Sequence, residues 1–206
     1  IADEVICGFG RLGEMFGSTV FGIQPDMMTV AKGLTSAYFP LSACIVSERV
    51  WDVLVAGGDK FGAFGHGYTY SSHPVGAAAA LANLDIIENE RLVARAAEMG
   101  AHLQAQLRAA FGGHPLVGEV RGQALIGAVE FVDRIEDTGP VAFDPALKVA
   151  PRIVKAALKR GVIGRALPSA DAVAFSPPFV VTREEIDIAV NAFREAADEV
   201  AAELGR

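Results

Sequence analysis

The chain has 206 residues, 51% of them apolar and 21% charged, a balance that suits a packed globular protein and excludes a disordered one. Its 25 acidic and 18 basic side chains leave a formal charge of -7 with no run of Lys or Arg, which argues against a nucleic-acid partner. Two cysteines are too few for a disulfide framework, and no apolar run approaches the roughly 20 residues that span a bilayer.

Residues 1–6 (IADEVI) read as the end of a buried strand. Residues 7–22 form a glycine-rich loop, and GFGRLG within it reads as a tight active-site wall rather than a dinucleotide site. Residues 27–31 (MMTVA) and 40–46 (PLSACIV) read as two further buried strands, with a short helix over 48–55 and irregular chain over 57–67. A Pro-initiated helix is expected over 74–90, where Asn83 and Asp85 interrupt an Ala-rich run. A second helix over 91–110 carries Leu92, Ala96, Met99, Leu103 and Leu107 on one face.

The later chain predicts strands at 124–132, 162–167 and 172–175 and a helix at 145–160. A last helix opens on the capping box Thr182/Glu185 and runs to about residue 204. Strands alternate with helices in the first half, which predicts a parallel sheet with crossover helices. The fold class is therefore α/β, with part of a large parallel-sheet domain over 1–112 and a small α+β domain over 113–206.

Three residues in the first 70 stand out: Asp3 at a strand end, Lys32 between the apolar run MMTVA and Gly33, and Thr69 in HGYTYSSHP before a helix. Taken alone, each has a bland reading. Lysines are mostly solvated. A lone Asp is more often a turn or cap residue, and a lone Thr more often belongs to a strand or an ST-turn. The four histidines, 66, 73, 102 and 114, have no metal-ligand spacing, so no metal is expected.

Together the runs are specific. DEVICGFGRLGEMFG, GIQPDMMTVAKGLTSAYFPLSACIVS and FGHGYTYSSHPVGAAAAL resemble the class III aminotransferases, which are fold-type I pyridoxal-phosphate (PLP) enzymes. The similarity continues through HPLVGEVRGQALIGAVEFV, GVIGRALPS and FSPPFVVTREEID, and it is strongest to the amine–pyruvate (ω-) transaminase branch. It covers essentially the whole chain but only the C-terminal half of such an enzyme. The family's first half supplies a ring-stacking aromatic and a Gly-Ser/Thr turn at the phosphate. Ile1 therefore reads as a truncation point, and the isolated stretch is expected to be inactive.

The resemblance implies PLP as cofactor and assigns roles by position. Lys32 would form the internal aldimine and then act as general acid/base. Asp3 would keep the pyridine nitrogen protonated, because a nearby carboxylate favours the charged form. Val5, two residues along the same strand, would pack on the ring from Asp3's face. Thr69 would bond the phosphate of the neighbouring subunit's cofactor, which implies a homodimer or larger assembly. Arg165, in GVIGRALPS, would bind the substrate carboxylate in a bidentate way, against the bland reading of a surface salt-bridge arginine.

The implied activity moves an amino group between an amine or amino acid and a keto acid, pyruvate first, by a ping-pong route. The implied location is cytoplasmic, in keeping with two unpaired cysteines in a reducing compartment. Rival readings are an aminomutase or decarboxylase of the same class, and a non-catalytic fragment or assembly module. The presence of both Asp3 and Lys32 argues against the module, which could lose either freely.

Overall fold

A computed structural model describes all residues, Ile1–Arg206, as two compact units, Ile1–Arg95 and Ala96–Arg206. The division falls inside a long helix rather than after residue 112. The buried stripe of that helix, Ala96, Met99, Leu103, Leu107 and Phe111, belongs to the core of the second unit.

The first unit holds β1 (Ala2–Asp3), α1 (Gly17–Val20), β2 (Met27–Val30), a 3-10 turn (Lys32–Leu34), β3 (Ala43–Val46), α2 (Glu48–Phe61), α3 (Pro74–Asn89) and the start of α4 (Leu92–Phe111). Its sheet has the order β1-β2-β3. β1 and β2 are parallel, as expected, with Ala2 opposite Met28 and Asp3 opposite Thr29. β3 departs from the expectation and runs antiparallel to β2. A parallel return needs a crossover of a dozen or more residues, usually helical. Residues 31–42 contain only the 3-10 turn, so the chain doubles back.

Two local expectations are corrected in this unit. Residues 1–6 are not one strand: β1 stops at Asp3, and the Asp3 carboxylate accepts the Val5 amide hydrogen at 3.1 Å, turning the chain out of the sheet. Val5 is thus a turn residue, not a strand neighbour on Asp3's face. The apolar run 40–46 gives the expected strand as β3, with Ala43, Cys44 and Ile45 exposed in this stretch of chain. α2 runs on to Phe61 through Gly57 and Gly58, although each helical glycine costs about 1 kcal/mol relative to alanine.

The second unit has a four-stranded antiparallel sheet in the order β4-β5-β9-β8, built from β4 (Val117–Gln123), β5 (Ile126–Phe131), β8 (Arg165–Ala166) and β9 (Ala172–Phe175). A separate hairpin joins β6 (Arg134–Glu136) to β7 (Gly139–Val141). The strand expected over 124–132 is β5, and β4, which was not expected, pairs with it as a hairpin turned at Ala124, where φ is +46. α5 (Val149–Lys159) and α6 (Arg183–Glu203) complete the unit. The capping box is present: the Thr182 hydroxyl accepts from Glu185 N at 3.2 Å, and the Glu185 carboxylate accepts from Thr182 N at 2.8 Å.

Leu103, Leu107, Phe111, Ile153, Val173, Val190 and Phe193 form the heart of this core, each worth roughly 1.5–3 kcal/mol of burial. Gly100 lets α4 approach the β4–β5 turn, where a Cβ would lie 2.3 Å from the Ala124 backbone. No helix in either unit is long and apolar enough to cross a membrane.

Candidate functional site

The site is built at the C-terminal ends of β1 and β2. Ligands of open α/β sheets bind outside the carboxyl ends of parallel strands. Asp3 closes β1, and Lys32 follows β2 after one intervening residue, Ala31. Because Asp3 is in register with Thr29, the carboxylate and the lysine leave neighbouring strands at the same end. Asp3 is exposed and accepts hydrogen bonds at Oδ1, from Val5 N at 3.1 Å and from the Thr29 hydroxyl at 3.4 Å. Oδ2 remains available to a further donor. Lys32 is exposed, and no carboxylate pairs with its ammonium.

The backbone at Lys32 is unusual. Its φ is +40, left-handed for a residue with a Cβ, and Ser36 and Ala37 follow at +48 and +64. Such conformations cost on the order of 1–3 kcal/mol each and persist only where surrounding contacts hold them. Several contacts do. The buried Thr35 hydroxyl donates to Phe39 O at 2.7 Å. Asn83, on α3, donates its side-chain amide to Gly33 O at 2.8 Å and Leu34 O at 3.2 Å. Gly33 packs so closely on the 8–9 loop that a Cβ would meet Phe9 Cβ at 3.2 Å and Gly8 O at 3.3 Å.

The 8–13 loop is shaped by Glu4. This carboxylate is buried and accepts from Gly17 N at 2.8 Å and Ser18 N at 2.6 Å. GFGRLG does have the spelling G-x-G-x-x-G, but the run lies in turns and is followed only by the four-residue α1. No phosphate-binding helix opens there. Cys7 lies in the same loop, and burial, then the nearby Glu4 and Asp3 carboxylates, push its thiol up in pKa, so it stays protonated.

The structure brings Asp3, Val5 and Lys32 to one end of one sheet. Thr69 lies in the same unit but in an exposed turn ahead of α3. That turn is tied to the lysine loop through His73, whose ring lies 5.2 Å from that of Phe39. Arg165 belongs to the second unit, on β8 opposite Ala174. It lines a largely apolar cavity of about 410 Å³ with Phe175, Pro177, Pro178 and Phe193. No three His, Cys, Asp or Glu side chains gather as a metal set.

Sequence reasoning missed Glu4, Thr35 and Asn83 as parts of the site's frame. A faint signal existed for Asn83, a polar residue interrupting an apolar Ala-rich helix. Glu4 carried no signal beyond standing next to Asp3.

A cofactor that combines an aldehyde with a basic ring nitrogen fits this donor set. Lys32 would hold such a group through its amine, and the Asp3 carboxylate would favour the charged form of its ring nitrogen. The fold is that of the fold-type I transaminases. The family model for class-III aminotransferases matches residues 1–197, and the chain belongs to that family.

The chain is 52% identical over 206 residues to diaminobutyrate–2-oxoglutarate transaminase of Halomonas elongata, covering 100% of this chain and 44% of that protein. A solved transaminase from directed evolution by ancestral reconstruction superposes with a TM-score of 0.95 at 56% identity, over 98% of this chain and 44% of its own. The ω-transaminase of Pseudomonas jessenii, solved in complex with PMP, superposes with a TM-score of 0.91 at 44% identity, over 99% of this chain and 44% of its own. The chain thus spans less than half the length of these relatives.

Proposed function

We propose that the complete protein is a PLP-dependent aminotransferase of the ω-transaminase branch, moving an amino group between an amine or amino acid and a keto acid, with pyruvate the first acceptor to try. The carrying observation is the placement of Asp3 and Lys32 at the same end of adjacent parallel strands. Family membership and the PMP-bound neighbour support the cofactor.

PLP, when bound, supplies an electron sink for the carbanion at the substrate carbon. The chain's own residues do the rest. The Lys32 amine holds the cofactor and, once released, moves a proton at the substrate carbon. The Asp3 carboxylate favours the charged form of the ring nitrogen. Val5, in the turn beyond Asp3, packs beside the ring. Thr69 reaches the phosphate bound by a neighbouring subunit, a role its exposed position favours and one that makes the working form a homodimer or larger assembly. Arg165 pairs with the substrate carboxylate. A cytoplasmic location belongs to the same reading, supported by two unpaired cysteines.

The test is borohydride reduction of the complete protein loaded with PLP, followed by peptide mapping. A single label on Lys32 is expected. Label scattered over surface lysines, or full turnover by Lys32→Ala, sinks the reading.

A further inference from the structure

The Lys32–Leu34 turn carries the reactive lysine, yet little of its own hydrogen bonding holds it. Leu34 N donates to Ala31 O at 3.0 Å and Thr35 N to Lys32 O at 3.2 Å. The carbonyls of Gly33 and Leu34 look elsewhere. Buried or half-buried carbonyls need donors, and an unpaired one is costly. Asn83 supplies both, from a helix fifty residues along the chain. Only the NH₂ end of its amide can serve, since both partners are acceptors.

The turn is gripped from two directions. Gly33 abuts Phe9 Cβ and Gly8 O, where added atoms would crowd. Asn83 holds the same turn through the Gly33 and Leu34 carbonyls. Between these contacts Lys32 is kept at φ +40, a conformation it would leave if released. The reach of the lysine amine begins at this Cα, so a small rotation of the turn moves the amine off its target.

We propose that Asn83 is a positioning residue for Lys32, fixing the lysine's strained backbone through two hydrogen bonds to the carbonyls that follow it. The proposal rests on Lys32 being the cofactor-binding lysine. Asn83 touches neither substrate nor cofactor and acts only through the turn. Its side chain holds the lysine's backbone in a left-handed conformation, as a clamp rather than as part of the chemistry.

The test uses the complete protein in four forms: wild type, Asn83→Ala, Asn83→Asp and Ile87→Ala. Asn83→Asp keeps the shape and replaces the donor with a carboxylate facing two carbonyls. Ile87 lies on the same helix, is 3% exposed, and has no side-chain donor for the turn carbonyls, so its truncation reports helix destabilisation without loss of those bonds. Three quantities are read: melting temperature, amide exchange at Leu34 and Thr35 with no cofactor added, and the pH titration of the absorbance of lysine-bound cofactor.

Both Asn83 variants should speed exchange at Leu34 and Thr35 by about tenfold or more. They should also shift the absorbance titration by about half a pH unit or more and lower kcat by roughly 10- to 100-fold, the usual cost of misplacing a reacting group. Ile87→Ala should lower the melting temperature and leave the exchange pattern of the turn and the titration at wild-type values. If Asn83→Asp matches wild type in exchange and titration, or if both Asn83 variants behave as Ile87→Ala does, Asn83 is structural only and the proposal is wrong. Peptide mapping of the wild type separates the two ideas: label on Lys32 with unmoved titrations overturns Asn83 alone, whereas label elsewhere overturns the lysine assignment and Asn83 with it.

Discussion

Asp3 and Thr29 face each other across β1 and β2, and the Thr29 hydroxyl donates to Asp3 Oδ1 at 3.4 Å. With Val5 N on the same oxygen, the carboxylate is held by two donors before any ligand arrives. A preset carboxylate loses little freedom on pairing with a ring N–H. On the proposed role, Asp3→Asn would remove the charge that favours a protonated ring and should cost kcat at least about 10- to 100-fold, the equivalent of a charge-assisted hydrogen bond worth roughly 1.5–3 kcal/mol. Thr29→Val removes one long, orienting bond and should cost only about two- to fivefold, near 0.5–1 kcal/mol. Steady-state kinetics of both variants in the complete protein decide the matter. Equal losses would mean that Thr29 does more than orient Asp3.

Arg165 predicts a split between substrates. Its guanidinium stands exposed at a largely apolar cavity, where a carboxylate would otherwise find few partners. Arg165→Ala should lower kcat/KM for keto acids and amino acids by about 10- to 100-fold, the cost of a lost charge-assisted pair. Simple amines should lose much less. Arg165→Lys should restore only part of the loss, because an ammonium cannot form the two-pronged contact. Comparing pyruvate and 2-oxoglutarate as acceptors for each variant tests the acceptor preference as well. Equal losses for amines and acids would count against the role.

How far these features could be read from sequence follows from how local their causes are. α3 and α6 were legible because their start signals lie within a few residues: Pro74 in the first turn, and the Thr182/Glu185 box. β4 was not, because Gly118 and Gly122 interrupt it and Glu119 and Arg121 charge it, so only pairing with β5 makes it a strand. The direction of β3 was equally hidden, since it depends on how residues 31–42 turn. In the candidate site, family resemblance singled out Asp3 and Lys32, and the register of β1 and β2 puts them at the same end of the sheet. The role of Asn83 was not legible, because its partners lie some fifty residues away and its one local signal, the interruption of an alanine-rich helix, does not say what it bonds.

Gly100 sets local propensity against packing. Gly→Ala in a helix interior normally stabilises by about 1 kcal/mol. Here a Cβ would stand 2.3 Å from Ala124 C and 2.4 Å from its Cα, far inside contact distance. α4 would have to withdraw from the β4–β5 turn, straining the two 3.0 Å bonds from Gln104 Nε2 to Ala124 O and Ile126 O. Gly100→Ala should therefore destabilise, by about 1–3 kcal/mol or more. Urea unfolding gives the sign directly, and a stabilised variant would show that the turn yields easily.

His114 makes the second unit sensitive to acid. Its ring is buried, and Nδ1 accepts the Leu116 amide hydrogen at 3.1 Å, which requires that nitrogen to be unprotonated. Burial first, then the neighbouring Arg194 charge, lower its pKa, while Asp198, 3.3 Å from Nε2, opposes them without reversing the shift. The unfolded chain therefore binds a proton at His114 at higher pH than the folded chain does. Stability from this residue is full above the ordinary histidine pKa of about 6.5, declines as pH falls below it, and levels off below the folded-state value. Protonation would also break the Leu116 bond and leave a second N–H in the core. The melting temperature of wild type should drop between neutral and mildly acidic pH. His114→Asn, which cannot titrate, should start lower at neutral pH and fall less steeply, so the gap between the two narrows on acidification. Parallel curves would place the acid sensitivity elsewhere, and a gap that widened on acidification would mean that the Asp198 contact, not burial, governs the ring.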